Sequence, residues 1–234
     1  MAGRLAGKVA VITGASRGLG AYVAVGYAKE GARVAIAART QEEKNPQLPG
    51  TIYHTTKLVE EAGGEALPVV CNVADYQSVE AMTESVLKEW GQIDVLMTNA
   101  AIQPPGGIST MQIKHWELEF NVNVHGPCYC IRSVLPSMLE RGSGNIINIT
   151  SVAALGGSHY GATKRAIEAM TIGLAAELKS KGITVNCMKP VGAIETPGFL
   201  YGRDADAIRN NMELPGQDSD VEAAVIPALP PPES

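Results

Sequence analysis

Six short apolar runs alternate along the chain with longer stretches of helical composition. The runs lack a strict polar–apolar alternation, which is typical of strands that a parallel sheet buries on both faces. Strong helix formers fill the intervals between them. The expected strands cover residues 8–13, 33–37, 66–70, 93–97, 145–149 and 183–187, and the expected helices cover 21–30, 75–90, 111–139 (as one or two helices) and 160–181. This order predicts an α/β fold with a doubly wound parallel sheet.

A glycine-punctuated turn, Thr13-Gly-Ala-Ser-Arg-Gly-Leu-Gly20, follows the first apolar run. A strand, a tight turn and a helix in this order favour phosphate binding, because the helix N-terminus offers unpaired N–H groups to an anion. Gly14 is expected to adopt the angles of the turn, Gly18 to admit a pyrophosphate, and Gly20 to leave room for helix packing. The spacing departs from Gly-x-Gly-x-x-Gly, so a glycine turn without a ligand is the alternative.

Tyr160 and Lys164 lie four residues apart in a stretch that is predicted to be helical. Four residues are about one helical turn, so the phenol and the ammonium project from one face. A free tyrosine has a pKa near ~10, and a neighbouring cation lowers it by roughly 1–3 units, which suits an acid/base. The pair also occurs on ordinary solvated helices, and that reading is the alternative.

Together these motifs resemble the short-chain dehydrogenase/reductase family from about residue 5 to residue 200. Between them, Thr98-Asn-Ala-Ala101 follows the fourth strand, Trp116 precedes Asn123 by seven residues, and Ser151 follows the fifth strand. The family has its Asn-Ala-Gly turn, catalytic asparagine and catalytic serine at these places. The segments 39–53 and 62–68 resemble the hydroxysteroid dehydrogenase-like protein 2 branch. The resemblance implies a single Rossmann-fold domain.

The resemblance also implies roles for four catalytic residues. Tyr160 would be the acid/base, and Ser151 would donate a second hydrogen bond to the substrate oxygen. Lys164 would lower the pKa of the phenol and bind the nicotinamide ribose, while Asn123 would hold a water that links Lys164 to solvent. Taken singly, Ser151 is better explained as a helix or turn cap and Asn123 as a buried amide that satisfies backbone groups.

The cofactor is expected to be NADP(H) rather than NAD(H). The second strand ends in Ala35-Ile-Ala-Ala-Arg39 without an acid for a ribose 2′-hydroxyl, and Arg17 supplies a second guanidinium for a 2′-phosphate. The alternative is that Arg39 is a solvated charge at the strand end. Asn72 stands where many relatives have an aspartate facing the adenine. The expected cofactor-binding residues are Gly14, Ser16, Arg17, Gly18, Leu19, Gly20, Arg39, Asn72, Val73, Asn99, Ala100, Ala101, Tyr160, Lys164, Pro190 and Thr196.

Composition and charge restrict the remaining classes of function. The net charge of −5 argues against a nucleic-acid surface, and no apolar run reaches the ~20 residues of a membrane span. The N-terminus lacks the apolar region of a signal peptide, so the protein is predicted to be cytoplasmic. The four cysteines have no zinc-site spacing, which predicts no metal and mostly buried, reduced thiols. Relatives suggest a homodimer or homotetramer.

Three departures from the family pattern affect the predicted substrate side. The connection from Ser151 to Tyr160 is short, the segment 190–192 carries an extra residue, and the tail lacks the family's last strand. The expected division is therefore a dinucleotide-binding domain over 1–200 and an irregular tail over 201–234 that forms a partial substrate lid. Within that tail, residues 221–229 are expected to be a helix remnant before the prolines.

The substrate is expected to be a neutral or apolar small molecule. The segments 103–107, 153–159 and the residues after Thr196 should supply its contacts, and they carry no charged anchor for a carboxylate or phosphate. The sequence thus predicts an NADP(H)-dependent oxidoreductase that interconverts an alcohol with its ketone or aldehyde. The alternative is a nucleotide-binding relative with impaired turnover that acts as a binding or scaffold protein.

Overall fold

The computed structural model describes residues 3–190, 192 and 194–201, and its centre is a six-stranded parallel sheet. The sheet order is β3-β2-β1-β4-β5-β6. The chain moves outwards from β1 in one direction and then returns to add β4 on the other side, which confirms the predicted doubly wound topology. The strands are β1 (Val9–Thr13), β2 (Arg33–Ala38), β3 (Glu65–Val70), β4 (Val95–Thr98), β5 (Gly144–Ile149) and β6 (Ile183–Met188).

In the described part of the chain six α-helices flank this sheet, and each predicted helical stretch overlaps at least one of them. The stretch over 111–139 is two helices joined by one π-helical turn, Asn121–His125. Short 3₁₀ turns occupy Val152–Leu155 and Lys179–Lys181. The helices are α1 (Gly18–Lys29), α2 (Ile52–Glu61), α3 (Tyr76–Trp90), α4 (Ile113–Phe120), α5 (Gly126–Arg141) and α6 (His159–Leu178). Helix α2 was not among the predicted elements.

Helix α3 shows how the sequence sets an element. Its apolar face is buried at Val79, Met82 and Val86. Asp75 caps the N-terminus by accepting a hydrogen bond from the Gln77 amide at 3.1 Å. The helix ends at Gly91, whose φ of 73° is accessible to glycine at little cost. The cap, the apolar face and the terminating glycine therefore all fit the observed bounds of α3.

The core lies in two layers, one on each face of the sheet. Along β1, Val9 and Val11 pack into the layer beneath α3 and α5, whereas Ile12 packs with α1 and α2. Full burial of one such aliphatic side chain contributes about 1.5–3 kcal/mol. This two-sided burial explains why the strand sequences are continuously apolar rather than alternating.

Other sequence expectations have mixed outcomes. Cys71 and Cys130 are buried, but Cys128 is half-buried and Cys187 is exposed, so the expectation of mostly buried thiols holds for only half of them.

No helix in the described part of the chain is long and apolar enough to span a membrane. The tail residues 202–234, including the helix remnant expected over 221–229, lie outside the described residues. The division into 1–200 and 201–234 stays a prediction.

Candidate active site

The predicted site residues gather where the strand order reverses, beyond the carboxyl ends of β1, β4 and β5. In open α/β sheets this switch point is where ligands bind, because the loops there diverge to opposite faces. The glycine turn leaves β1, Asn99 and Ala100 follow β4, and Ser151 follows β5. The switch point therefore brings the expected cofactor and catalytic residues to one edge.

The glycine turn is tightly packed and requires its glycines. Gly14 has φ of 68° and Gly18 has φ of 57°, a region that side chains disfavour. A Cβ on Gly14 would lie 2.7 Å from the Ala100 Cα, and one on Gly20 would lie 2.7 Å from the Gly14 carbonyl oxygen. Helix α1 begins at Gly18 with no side-chain cap from Arg17. Its first N–H groups are thus available to an anion.

Asn99 and Thr13 hold the turn in shape. The Asn99 amide donates to the carbonyl oxygens of Thr13 at 3.0 Å and Gly14 at 3.2 Å. The Thr13 hydroxyl accepts from the backbone amides of Asn99 at 3.1 Å and Ala100 at 3.2 Å. These bonds fasten the end of β4 to the end of β1. Thr13 was not among the predicted site residues, although the motif includes it.

The Arg17 guanidinium lies over the loop that follows β2. Its Nε donates to the Pro49 carbonyl at 3.0 Å and its Nη2 to the Gly50 carbonyl at 3.0 Å. Burial lowers the pKa of Arg17, the Glu43 charge opposes this, and the Arg39 charge adds to it. Arg39 itself is exposed at the end of β2. The two predicted guanidiniums therefore share one region, although Arg17 also bonds the loop.

The remaining predicted cofactor residues surround this edge. Asn72 forms a turn in which its side-chain oxygen accepts from the Ala74 amide at 3.3 Å. Thr196 lies against the turn, since a Cβ on Gly18 would approach its Cγ2 to 3.1 Å. Ser16 and Val73 are buried, Leu19 packs into the core layer of α1, Ala101 is exposed, and Pro190 is half-buried.

Tyr160 and Lys164 lie in the first turns of α6, as predicted. The Lys164 Nζ lies 5.4 Å from the centroid of the Tyr160 ring and donates to the Ile149 carbonyl oxygen at 2.9 Å. The lysine is only 3% exposed, and burial lowers its pKa to about 8. Ile149 ends β5 two residues before Ser151. The Lys164–Ile149 hydrogen bond therefore joins α6 to the end of β5, next to Ser151.

The expected lowering of the Tyr160 pKa is wrong for this structure. Burial, with the Glu119 charge as a smaller second cause, raises the pKa of Tyr160 to about 12. A phenolate inside the protein loses hydration, which disfavours the charged form. The phenol is therefore a stable proton carrier at neutral pH.

Ser151 caps the 3₁₀ turn Val152–Leu155, and its hydroxyl oxygen accepts from the Ala153 amide at 3.1 Å. A hydroxyl also has one hydrogen to donate, so the cap leaves that hydrogen available to a substrate oxygen. The same turn accommodates the short connection to Tyr160. Gly161 is required beside it, because a Cβ there would collide with the Ala153 carbonyl oxygen.

Asn123 is buried in the π-helical turn between α4 and α5. Its amide accepts from the Ile102 N–H at 2.9 Å and donates to the Ile102 carbonyl at 2.8 Å. It also donates to the Thr163 hydroxyl at 3.2 Å, next to Lys164. The predicted alternative, a buried amide that satisfies backbone groups, thus describes what Asn123 does here. Its role in holding a water stays a prediction.

Sequence reasoning missed two buried residues beside the catalytic pair. Glu119 on α4 is 0% exposed, and its Oε2 lies 2.6 Å from the Nδ1 of His159, the first residue of α6. Helical spacing offered a signal for the glutamate, since it lies three residues from Trp116 and four from Asn123 on one face. His159 directly precedes Tyr160. No cluster in the described residues has the ligands for a metal ion.

Comparisons with known proteins identify relatives of this chain. The family described as short chain dehydrogenase matches residues 8–203. The 3-oxoacyl-[acyl-carrier-protein] reductase FabG of Staphylococcus aureus is 32% identical, over 93% of this chain and 89% of that protein. Human hydroxysteroid dehydrogenase-like protein 2 is 36% identical, over 83% of this chain but only 47% of that protein. A short-chain type dehydrogenase/reductase from Mycobacterium marinum is 31% identical with a TM-score of 0.74, covering 81% of this chain and 76% of that one.

Proposed function

Since the chain belongs to the short-chain dehydrogenase family of NAD(P)-dependent oxidoreductases, we propose that it uses NADP(H) to interconvert an alcohol with its ketone or aldehyde. The observation that carries the proposal is the assembly of Asn123, Ser151, Tyr160 and Lys164 around the end of β5. Asn123 donates to Thr163 on α6, next to Lys164, and Lys164 donates to the Ile149 carbonyl at the end of β5.

The residues of the glycine turn fit a dinucleotide. The positive φ of Gly14 and Gly18 and the uncapped start of α1 provide a cradle that a Cβ would fill. When bound there, NADP(H) would supply or accept the hydride. Arg17 and Arg39 would face its 2′-phosphate, since no acid stands at the end of β2 to favour a free ribose hydroxyl.

The chain's own residues would manage the proton and the charge on the substrate oxygen. In the direction of reduction, the Tyr160 hydroxyl would donate the proton, which its raised pKa keeps in place at neutral pH. The Ser151 hydroxyl would donate a hydrogen bond to the same oxygen. Lys164, held by the Ile149 carbonyl, would supply positive charge beside the phenol. In the reverse direction Tyr160 would accept the proton.

The substrate class follows from the wall of the site. The residues expected to form it include exposed apolar side chains at Leu155 and Phe199, with Leu155 73% exposed. No aspartate, glutamate, lysine or arginine occurs in 103–107, 153–159 or 196–201. Exposed apolar surface near convergent polar groups favours a neutral or apolar substrate over an anionic one.

A spectrophotometric assay tests the proposal. NADPH oxidation would be followed with neutral ketones and aldehydes, and in parallel with analogues that carry a carboxylate. We expect turnover of the neutral compounds, and its loss in Tyr160→Phe with NADPH affinity nearly unchanged, because that hydroxyl serves the substrate. Nucleotide binding without turnover of any compound would instead support a binding or scaffold protein.

Cofactor preference has its own test. Arg39→Asp should repel the 2′-phosphate and accept a hydrogen bond from a free ribose, so it should shift preference from NADPH towards NADH by about ten- to hundredfold. Titration of both nucleotides at moderate salt measures this. Wild-type protein that binds NADH as tightly as NADPH would refute the NADP(H) preference.

A further inference from the structure

We propose that His159, loaded with a proton that it shares with Glu119, is a positioning residue that latches the substrate-facing loop 101–112 to the start of α6. The proposal rests on the proposed function for its kinetic effects, but the latch itself can be measured without turnover. It assigns a role to two buried residues that the proposed chemistry does not use.

The latch consists of two hydrogen bonds from one imidazole. His159 Nε2 lies 2.9 Å from the Gly106 carbonyl oxygen, and Nδ1 lies 2.6 Å from Glu119 Oε2. A carbonyl oxygen only accepts, so Nε2 must carry a hydrogen and donate it. His159 is 7% exposed, so water has little access to replace either bond. The next residue along the helix is Tyr160.

The geometry fixes the proton content of the pair. With Nε2 protonated, Nδ1 either donates to a glutamate carboxylate or accepts from a protonated carboxyl. Both arrangements contain one proton between Nδ1 and Oε2. If that proton leaves, a neutral imidazole has a single N–H, and it must give up either the carboxylate or the Gly106 carbonyl. Proton loss therefore weakens the latch.

The surroundings contain few other charges that act on this pair. Tyr160 and Lys164, on the same helix as His159, are the titratable groups that interact with the Glu119 charge. The loop 101–112 contains no titratable side chain. Burial raises the pKa of Glu119, which its hydrogen bond to His159 opposes. The other carboxyl oxygen, Oε1, is buried without a hydrogen-bond partner among the described residues.

The loop is restrained at two points close in sequence. Asn123 binds both the N–H and the carbonyl of Ile102, and His159 binds the carbonyl of Gly106. The intervening residues include Pro104 and Pro105, whose rings fix φ and stiffen the span. Gly106 has φ of 104°, which glycine accepts readily. A stiff span held at both ends gives the pocket wall a defined position.

A purely structural role explains the pair poorly. Taking a carboxyl and an imidazole out of water is costly, and apolar side chains of similar size often fill such sites with equal or greater stability. Buried polar pairs instead favour one arrangement over its competitors. Here the arrangement that they select is the position of the loop beside Tyr160.

The test compares two variants, His159→Leu and Glu119→Gln, with the control Glu117→Gln. Glu117 is exposed and lies on α4, the helix of Glu119. Hydrogen exchange of the peptide covering 102–112 would be measured by mass spectrometry in the NADPH-loaded protein. We expect His159→Leu to accelerate exchange in this peptide at least about tenfold, because a buried hydrogen bond is lost. Glu117→Gln should leave it unchanged. Equal exchange in His159→Leu and wild type overturns the latch, whether or not the protein turns over any substrate.

Glu119→Gln tests the shared proton. A glutamine N–H can donate to a neutral Nδ1, which leaves Nε2–H on the Gly106 carbonyl at every pH. The ratio of wild-type to Glu119→Gln exchange in the loop should therefore rise as pH increases. A constant ratio refutes the shared proton. This conservative variant keeps the test decisive if His159→Leu fails to fold.

Kinetics give the third measurement. With a ketone that the wild type reduces, His159→Leu should raise KM about tenfold while kcat changes less than about threefold, since the loop positions substrate and does not transfer protons. A fall in kcat as large as the rise in KM would point to general damage of the site and overturn the positioning role. Absence of wild-type turnover would count against the proposed function alone, because the exchange data stand apart.

Discussion

Lys164 is the residue at which stability and function conflict most clearly. Its ammonium is almost fully buried and its described hydrogen bond goes to one backbone carbonyl, so much of its hydration is lost without replacement. The lowered pKa records that loss. Active sites commonly keep such groups because the chemistry needs them, and the rest of the fold compensates.

Replacing this lysine should therefore stabilise the ligand-free protein. We expect Lys164→Met to raise the free energy of unfolding by about 1–3 kcal/mol, because it removes a buried charge and keeps a similar volume. Turnover should be lost at the same time. Denaturant unfolding at neutral pH measures the first effect, with Lys114→Met on the exposed side of α4 as the control. A destabilised Lys164→Met would contradict this account.

The same residue predicts a pH dependence of the reductive reaction. The Lys164 pKa is lowered to about 8, so the ammonium is present below that pH and is lost as pH rises through it. The phenol of Tyr160, with its pKa raised to about 12, stays protonated over this range. We expect kcat for reduction to fall by about tenfold per pH unit above the lysine pKa. If kcat for reduction stays constant up to about pH 10, the reaction does not depend on the charge of Lys164.

At this scale the sequence predicts motif residues well and contacts between distant segments poorly. Ser151 follows β5, and Tyr160 and Lys164 lie one turn apart on α6, as expected, since one strand end and one helix hold them. The Glu119–His159 contact joins α4 to α6 across 40 residues, and no local pattern encodes such a pairing. The direction of the Tyr160 pKa was also out of reach, because it depends on burial.

Among the elements, the strands were the most predictable, because two-sided burial leaves a continuous apolar sequence. Helix α2 was missed since Ile52–Glu61 contains tyrosine, histidine and two threonines, which are weak helix formers. It forms because Thr51 caps it, accepting from His54 at 3.0 Å, and because Ile52, Thr55 and Val59 are buried. Tertiary packing thus overrides propensity in α2.

Two glycines at element ends make a matched pair for a stability prediction. Gly182 (φ 74°) precedes β6 and Gly63 (φ 83°) follows α2, so alanine is similarly strained at both. A Cβ on Gly182 would also collide with the Gly142 carbonyl oxygen, whereas one on Gly63 meets nothing within 4 Å. We expect Gly63→Ala to lower the free energy of unfolding by about 1 kcal/mol. Gly182→Ala should lower it by at least about 2 kcal/mol, with or without bound ligand. Thermal unfolding of both variants checks the order, and equal losses would contradict it.

For the molecule as a whole, nucleotide binding and folding should be coupled. The cradle depends on contacts between β1, β4 and the glycine turn, which exist only in the folded chain. At a concentration 100-fold above its dissociation constant, NADPH should stabilise the fold by about 2.7 kcal/mol. The melting temperature should therefore rise with NADPH and rise less with the same concentration of NADH. An equal rise with both nucleotides would argue against the 2′-phosphate contacts.

The π-helical turn Asn121–His125 has a consequence for how one helical segment serves two neighbours. Each residue of an α-helix advances by about 100°, so an inserted residue shifts the phase of everything that follows it by that angle. Upstream, Glu119 turns towards α6; downstream, Cys130, Val134 and Met138 turn into the core. Removing one residue from this turn would leave a regular helix that can satisfy either neighbour and not both. The extra residue rotates α5 relative to α4, so that one continuous helical segment faces the candidate active site at its start and the hydrophobic core at its end.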